Sequence, residues 1–150
     1  MTASVLIAAE PFDPDTAAAA FRRRYDEAGA IVTFTGFVRG EGGRVSSLNL
    51  THYPGFTDRE ISRIVESAMA RWPLAGVTII HRVGELLPRE AIVFVAAAAS
   101  HRRDAFLAID YLMDYLKSEA PFWKHERRWA AGQWIEPGPD DHKDKKRWRA

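Results

Sequence analysis

The stretch GVTIIHRVGELLPREAIVFVAAAA, residues 76–99, decides the fold. It holds two runs rich in apolar and β-branched residues, GVTIIHRVG and AIVFVAAAA, on either side of a turn near PRE. Strands this apolar are typical of sheets that are covered on both faces. We therefore predict that both runs are central strands of a sheet.

The chain before this stretch predicts a strand, a helix and a hairpin. Residues 5–9 form a short apolar run that is typical of a strand. A helix is expected to begin after the N-cap Asp13, with Pro14 at its first position, and to end at Gly29. The segments AIVTFTGFVR and VSSLNLTHY are rich in strand-forming residues and flank the turn GEGG, so we predict that they pair as a hairpin.

Two amphipathic helices are predicted farther along. One begins at Thr57, whose spacing from Glu60 is that of a capping box, and it ends at Pro73. The other begins at Ser100 and ends before Pro121, which forces an extended conformation, so the chain leaves this helix as a strand. Because helices interrupt strand pairs rather than following every strand, we predict an α+β fold with helices packed on a mixed or mainly antiparallel sheet.

The length and charge of the chain fit one soluble domain. It has 150 residues, with 21 Lys and Arg against 20 Asp and Glu. We expect a single domain over residues 1–150, with a polar tail from about residue 137. No apolar run has the length of a membrane span, and the N-terminus lacks the pattern of a secretory signal, so we expect no membrane partner and a cytoplasmic location.

The residue types exclude several kinds of chemistry. The chain has no cysteine, which excludes disulfides, thiolate metal sites and a sulfur nucleophile of its own. His52 and His81 have no partners at the spacing of a metal site, so we predict no metal and interpret both as hydrogen-bonded strand histidines. The balanced charge argues against a nucleic-acid partner.

Two lysines frame the segment LKSEAPFWKHE, residues 116–126. Lys117 projects beside the apolar stripe of the predicted helix. In the extended segment that follows, Lys124 shares a face with Phe122 and Glu126. The two amines can therefore meet in one pocket, where desolvation and mutual repulsion favour a neutral amine able to act as nucleophile or base. Alternatively, Lys117 complements the helix dipole and Lys124 is an ordinary solvated strand residue.

A second group of cations lies at the start of the same predicted helix. His101, Arg102 and Arg103 occupy its first turn, where positive charge opposes the helix dipole. This arrangement is favourable if an anion such as phosphate binds the free N–H groups there, and Arg39 could supply a further cation. In the alternative interpretation, Asp104 offsets the charge and Arg39 is a solvated strand end.

Five segments in this order, FTGFVR, LTHYPGFT, HRVGEL, ASHRRDAF and LKSEAPFWKHE, together resemble the catalytic large subunit family of molybdopterin synthase. The similarity covers roughly residues 31–136. It implies an α/β-hammerhead-like fold and an enzyme of molybdenum cofactor biosynthesis, which converts cyclic pyranopterin monophosphate to molybdopterin by inserting two sulfurs. It further implies no cofactor of the chain's own, because the sulfur comes from a thiocarboxylate on the C-terminal Gly-Gly of a small ubiquitin-like subunit. The implied assembly is a heterotetramer built on a homodimer of large subunits.

The resemblance also implies the residues of the site. Lys117 and Lys124 correspond to the catalytic lysines. The implied substrate contacts are Phe37, Val38, Arg39, His101, Arg102, His125 and Glu126. We hypothesise that Lys117 moves protons or transiently receives the acyl group of the partner, while Lys124 orients the substrate and the partner carbonyl. A non-catalytic adaptor that binds a ubiquitin-like tail through a cationic groove is the alternative.

Overall fold

The computed structural model describes residues 2–128, 132–135 and 148. Within these residues the elements follow in the order β1 (Thr2–Ala8), α1 (Pro14–Arg24), β2 (Ala30–Phe37), β3 (Val45–His52), α2 (Phe56–Arg71), β4 (Leu74–Arg82), β5 (Gly84–Leu86), β6 (Ala91–Ala99), α3 (Arg102–Ser118), β7 (Phe122–Arg128) and β8 (Gly132–Ile135). No helix in the described part of the chain is long and apolar enough to cross a membrane.

The strands form two four-stranded sheets. Sheet A has the order β1-β4-β6-β2 and sheet B the order β5-β3-β7-β8. In sheet A, β4 and β6 are antiparallel neighbours at the centre, and β1 adds to β4 in parallel. All pairs in sheet B are antiparallel. The predicted α+β class is confirmed, and so is the central position of the two strands from residues 76–99.

The predicted hairpin between the segments at residues 30–39 and 45–53 is wrong. β2 pairs with β6 in sheet A, whereas β3 pairs with β5 and β7 in sheet B. The connection between them contains Glu41, Gly42 and Gly43, all at positive φ, and carries the chain from one sheet to the other. Local alternation identifies a strand but does not say which distant strand will offer it the larger apolar surface.

The predicted capping box at Thr57 is also wrong. α2 begins at Phe56, and its N-cap Gly55 makes no side-chain cap bond. The Thr57 hydroxyl instead accepts a hydrogen bond from the Tyr53 N–H at 2.9 Å and donates one to the Pro121 carbonyl at 3.1 Å. Thr57 therefore ties the loop before α2 to the chain that leaves α3.

Sheet A is covered on both faces by helices, as its apolar central strands predict. Ala97 and Ala99 of β6 lie in the core that contains residues of α2 and α3. Ala96 and Ala98 face the opposite way, into a smaller core with Phe21 of α1. The small alanine side chains let the helices on both faces approach the sheet closely. A separate core in sheet B contains Val38, Leu48, Leu50 and Leu86.

Trp148 packs on the outer face of α2 and α3. Its ring makes edge contacts with Trp72 and Tyr111, and its indole N–H donates to Asp114. Its carbonyl accepts a hydrogen bond from Arg71 at 3.1 Å. The remainder of the polar tail predicted from about residue 137 lies outside the described residues.

Gly29 lies in the loop that joins α1 to β2. The prediction that a helix extends to this residue is wrong, because α1 ends at Arg24. A Cβ atom on Gly29 would lie 2.0 Å from the carbonyl oxygen of Ser100, at the junction of β6 and α3. No side chain fits in that space. The contact therefore holds the start of α3 against the loop after α1.

Replacement of Gly29 by alanine is expected to lower the free energy of unfolding by about 1–3 kcal/mol, because a backbone atom has to move to make room. Urea denaturation of Gly29→Ala measures the change. The matched control is Gly40→Ala, whose Cβ would meet the Cβ of Pro88 at 3.3 Å and should cost less. Equal losses in the two variants would contradict the steric argument.

Candidate active site

A pocket of about 160 Å³ lies between the end of α3, β7 and the central part of sheet A. Lys117 from the last turn of α3 and Lys124 from β7 both line it. The other lining residues are Phe34, Gly36, Phe37, His81, Ile92, Val93, Met113, Leu116, Ala120 and Phe122. The structure thus brings the two predicted lysines to one pocket, which we call the lysine pocket, and their catalytic roles stay predictions.

The chain reversal after α3 places the two lysines. α3 ends at Ser118, and Pro121 starts the extended segment that becomes β7. The Pro121 carbonyl is held by the Thr57 hydroxyl, as described above. Lys124 lies opposite Leu50 in the pairing of β7 with β3, so it faces inward at the edge of the sheet B core. Lys117 is exposed and Lys124 is half-buried.

The walls of the lysine pocket are aromatic and apolar. Phe34 of β2, Met113 of α3 and Phe122 of β7 contribute flat or flexible apolar surface from three different elements. The two amines are the cationic groups among the residues that line it. Such a pocket suits a flat ligand that carries negative charge.

His81 is a wall residue that the sequence did not assign to the site. Its ring stacks on Phe122 with a centroid distance of 3.9 Å and an interplanar angle of 13°. The interpretation as a hydrogen-bonded strand histidine is confirmed, since Nδ1 lies 2.9 Å from the carbonyl oxygen of Arg82. Burial lowers the pKa of His81 to about 4, and the charges of Lys124 and His52 add to the shift. The sequence signal that could have assigned His81 to the site is its position as a polar residue within the apolar run of β4.

The cations at the start of α3 line a different pocket, of about 690 Å³. His101, Arg102 and Arg103 contribute to it together with Gly29 and the exposed ring of Phe106. His101 is the N-cap of α3 and makes no side-chain cap bond, so no capping side chain covers the first N–H groups of the helix. This pocket therefore combines free helix N–H groups with three basic side chains.

One chain does not bring the two cationic groups together. Lys117 follows His101 by sixteen residues on the same helix, which corresponds to about 24 Å along the axis. A small substrate bound at the lysine pocket cannot contact His101 or Arg102 of the same chain. The prediction that all these residues hold one substrate therefore requires a second copy of the helix start.

The three substrate contacts predicted at the end of β2 and just after it lie in different surroundings. Phe37 lines the lysine pocket and is 52% exposed. Val38 is buried in the sheet B core, and its backbone bonds the Glu90 carbonyl and the Arg89 N–H at 2.9 and 2.8 Å, so its side chain does not reach the pocket. Arg39 is exposed and is not among the residues that line the lysine pocket.

The two contacts predicted after Lys124 do not line the lysine pocket. His125 points to the opposite face of β7, where it lines a polar pocket of about 250 Å³ with Glu85, Arg127 and three residues of β3. Glu126 lies on the Lys124 side of the strand and is only 9% exposed. The predicted alternation along β7 is confirmed, and it separates His125 from the lysines.

No group of three His, Cys, Asp or Glu side chains in residues 2–128, 132–135 and 148 is arranged to hold a metal ion. The absence of a metal or a resident cofactor stays a prediction.

The buried His81 predicts a pH-dependent loss of stability. Its folded pKa of about 4 lies below the ordinary value of 6.5, so the unfolded chain takes up the proton first as the pH falls, and stability is lost between pH 6.5 and pH 4. Because one pKa unit corresponds to about 1.4 kcal/mol, the loss amounts to about 3 kcal/mol. Urea titrations at pH 7 and pH 4 should show this additional loss in the wild type relative to His81→Gln. An equal loss in both proteins would show that folded His81 is not protected from protonation.

Comparison with known proteins identifies the family. The MoaE protein family matches residues 7–119. The chain is 51% identical over 144 residues to the molybdopterin synthase catalytic subunit of Caulobacter vibrioides, with 96% of each chain covered. The solved molybdopterin biosynthesis MoaE protein of Burkholderia ambifaria superimposes with a TM-score of 0.81 at 41% identity, covering 99% of this chain and 98% of that one. A chain in the complex of subunits 1 and 2 of molybdopterin-converting factor from Helicobacter pylori shares the fold, with a TM-score of 0.74 at 16% identity and 89% of each chain covered. The chain belongs to the MoaE family of molybdopterin synthase catalytic subunits, which are enzymes of molybdenum cofactor biosynthesis.

Proposed function

We propose that the lysine pocket inserts sulfur into a pterin, converting cyclic pyranopterin monophosphate to molybdopterin. The observation that carries this proposal is the convergence of Lys117 and Lys124, from two different elements, in one aromatic-walled pocket. The chain has no cysteine, so it needs an external sulfur source. The source is the thiocarboxylate at the C-terminus of a small ubiquitin-like subunit.

The chemistry of the pocket suits such a substrate. A pterin is a flat heteroaromatic ring system, which can pack against the walls formed by Phe34 and Phe122. The phosphate of the substrate is anionic and is attracted by ammonium groups. Phe37 lines the pocket and is 52% exposed. Its exposed ring is a suitable apolar contact for the small subunit.

Each sulfur transfer exchanges one sulfur for one oxygen. A carbon–sulfur bond forms on the substrate in place of a carbon–oxygen bond, and the thiocarboxylate becomes a carboxylate, so no oxidant or reductant is needed. Lys117 moves protons at the reacting carbon or transiently receives the acyl group of the partner, and Lys124 orients the substrate and the partner carbonyl. Holding the thiocarboxylate tail against a bound substrate lowers the barrier by several kcal/mol through positioning alone.

The functional unit is a homodimer of this chain within a heterotetramer. The separation of about 24 Å between His101 and Lys117 supports this assembly, because a second copy has to supply the cations at the start of α3 to the same substrate. Phe106 beside those cations is 60% exposed, so it offers apolar surface to a second copy at the same place. The cytoplasmic location expected from the sequence stays a prediction.

Single-turnover sulfur transfer tests the role of Lys117. The purified protein is mixed with cyclic pyranopterin monophosphate and a thiocarboxylated small subunit, and the dithiolene product is measured. Lys117→Ala and Lys117→Arg should each lower the rate by about 100-fold or more, because general acid–base catalysis contributes that much and a guanidinium stays protonated. Arg22→Ala, on an exposed part of α1, is the matched control and should keep the wild-type rate.

Two outcomes would change the conclusion. A near-normal rate in Lys117→Arg would exclude both the proton-transfer role and the nucleophile role of this residue. A folded wild-type protein that binds the small subunit but yields no product would be an adaptor for the ubiquitin-like tail rather than the enzyme of this step.

Mixing two inactive variants tests whether each site uses residues from both chains of the homodimer. Lys117→Ala and Arg102→Ala damage opposite ends of α3, so a mixed dimer regains one intact site if each site uses both chains. After unfolding and refolding an equimolar mixture, we expect about one quarter of the wild-type activity, since half of the dimers are mixed and each has one intact site of two. Activity no higher than that of the separate variants would show that each chain works alone.

A further inference from the structure

His81 lies at the junction of the two sheets and contributes to the lysine pocket. It belongs to β4 of sheet A, while Phe122, on which it stacks, belongs to β7 of sheet B. The ring is only 8% exposed. The proposed reaction uses the two lysines and leaves this buried titratable ring without a role.

The hydrogen bond at Nδ1 determines the tautomer of His81. Nδ1 lies 2.9 Å from the carbonyl oxygen of Arg82, and a carbonyl oxygen can only accept. Nδ1 therefore carries the hydrogen. In the neutral ring, which burial favours, Nε2 is then a lone-pair acceptor. Within the part of the chain that the structure describes, Nε2 makes no hydrogen bond.

Arg82 holds this orientation in place. Its guanidinium is buried, lies 3.4 Å from the Glu90 carboxylate and donates to the Glu85 carbonyl at 3.2 Å. The Arg82 side chain thereby anchors the end of β4, whose carbonyl accepts from His81. Stacking on Phe122 fixes the plane of the ring as well.

Lys124 is the amine whose positive charge acts on His81. It follows Phe122 by two residues on the same face of β7, so its side chain leaves the strand beside the ring that stacks on His81. Lys124 and His81 line the same pocket, into which Lys117 also projects from α3. The other ionisable group that acts on His81 is His52 of β3.

We propose that His81 is a positioning residue, whose unoccupied Nε2 is the acceptor that the Lys124 ammonium reaches by a change of side-chain rotamer, and that this contact directs the amine into the pocket. This inference rests on the proposed function, because it assigns Lys124 the task of orienting substrate. A neutral acceptor suits the task, since a protonated imidazole would add a third positive charge and could only donate. Because the Arg82 carbonyl and the Phe122 ring hold His81, the acceptor offered to Lys124 is fixed in place by the sheets.

Three substitutions of His81 separate the acceptor from the packing. His81→Phe keeps an aromatic ring against Phe122 but removes both nitrogens. His81→Asn can keep a donor to the Arg82 carbonyl but has no acceptor at the Nε2 position. His81→Gln can place an amide oxygen near the Nε2 position. If His81 acts through its acceptor, Gln should restore function that Phe and Asn lack.

Single-turnover rates and substrate affinity are measured for all three variants with the small subunit bound. The Phe and Asn variants should lose about 10- to 100-fold in rate, as is typical when a hydrogen bond to a charged group is removed, while His81→Gln stays within about fivefold of the wild type. The KM for the substrate should change less than the rate. Equal losses in all three variants, or no loss in any, would overturn the proposal.

Acylation of the amines gives a readout that does not need turnover. The labelling of Lys124 by an amine-reactive reagent is followed against pH by mass spectrometry, with Lys117 as the internal reference. Loss of an acceptor destabilises the ammonium, so His81→Phe should shift the labelling midpoint of Lys124 to lower pH and leave that of Lys117 in place. If His81→Phe shifts the Lys124 midpoint in this way but the wild type forms no product, the proposed reaction fails and the His81–Lys124 contact stands. An unchanged Lys124 midpoint in His81→Phe would overturn the contact.

Discussion

The stacking of Phe122 on His81 is the contact on which the candidate site depends. It joins sheet A to sheet B at a centroid distance of 3.9 Å, and the lysine pocket forms beside it. The hydrogen bond from Thr57 to the Pro121 carbonyl holds the adjacent chain reversal. With β7 held in this way, Lys124 on the next inward-facing position of the strand comes to the same pocket as Lys117 on α3.

Helix α3 sets the second constraint on the site, because it separates two groups of cations. Lys117 in its last turn is favoured by the negative end of the helix dipole, whereas Arg102 and Arg103 in the first turn are opposed by the positive end. Unfavourable charge at an uncapped helix start has a physical reason if an anionic group binds there. Because α3 is too long for one small substrate to contact both groups of the same chain, a second copy of the chain has to supply one group if both bind the same substrate.

The predictions from sequence succeeded where a local pattern has a single structural meaning. The apolar runs in residues 76–99 could only be buried strands, and alternation beyond Pro121 correctly separated Lys124 from His125. They failed where the partner lies far away in sequence. The segments on either side of GEGG have the pattern of a hairpin but pair in different sheets, and Thr57 bonds a residue sixty-four positions later instead of capping its own helix.

The residue types and their local periodicity can be read from the amino-acid sequence alone. These were sufficient for the α+β class, the central strands, the absence of cysteine chemistry and the face of β7 on which Lys124 lies. Contacts between distant elements were needed to assign His81 to the lysine pocket and the side chain of Val38 to a core. The reason is physical: periodicity is a property of one element, whereas a site is formed by contacts between elements that are distant in the chain.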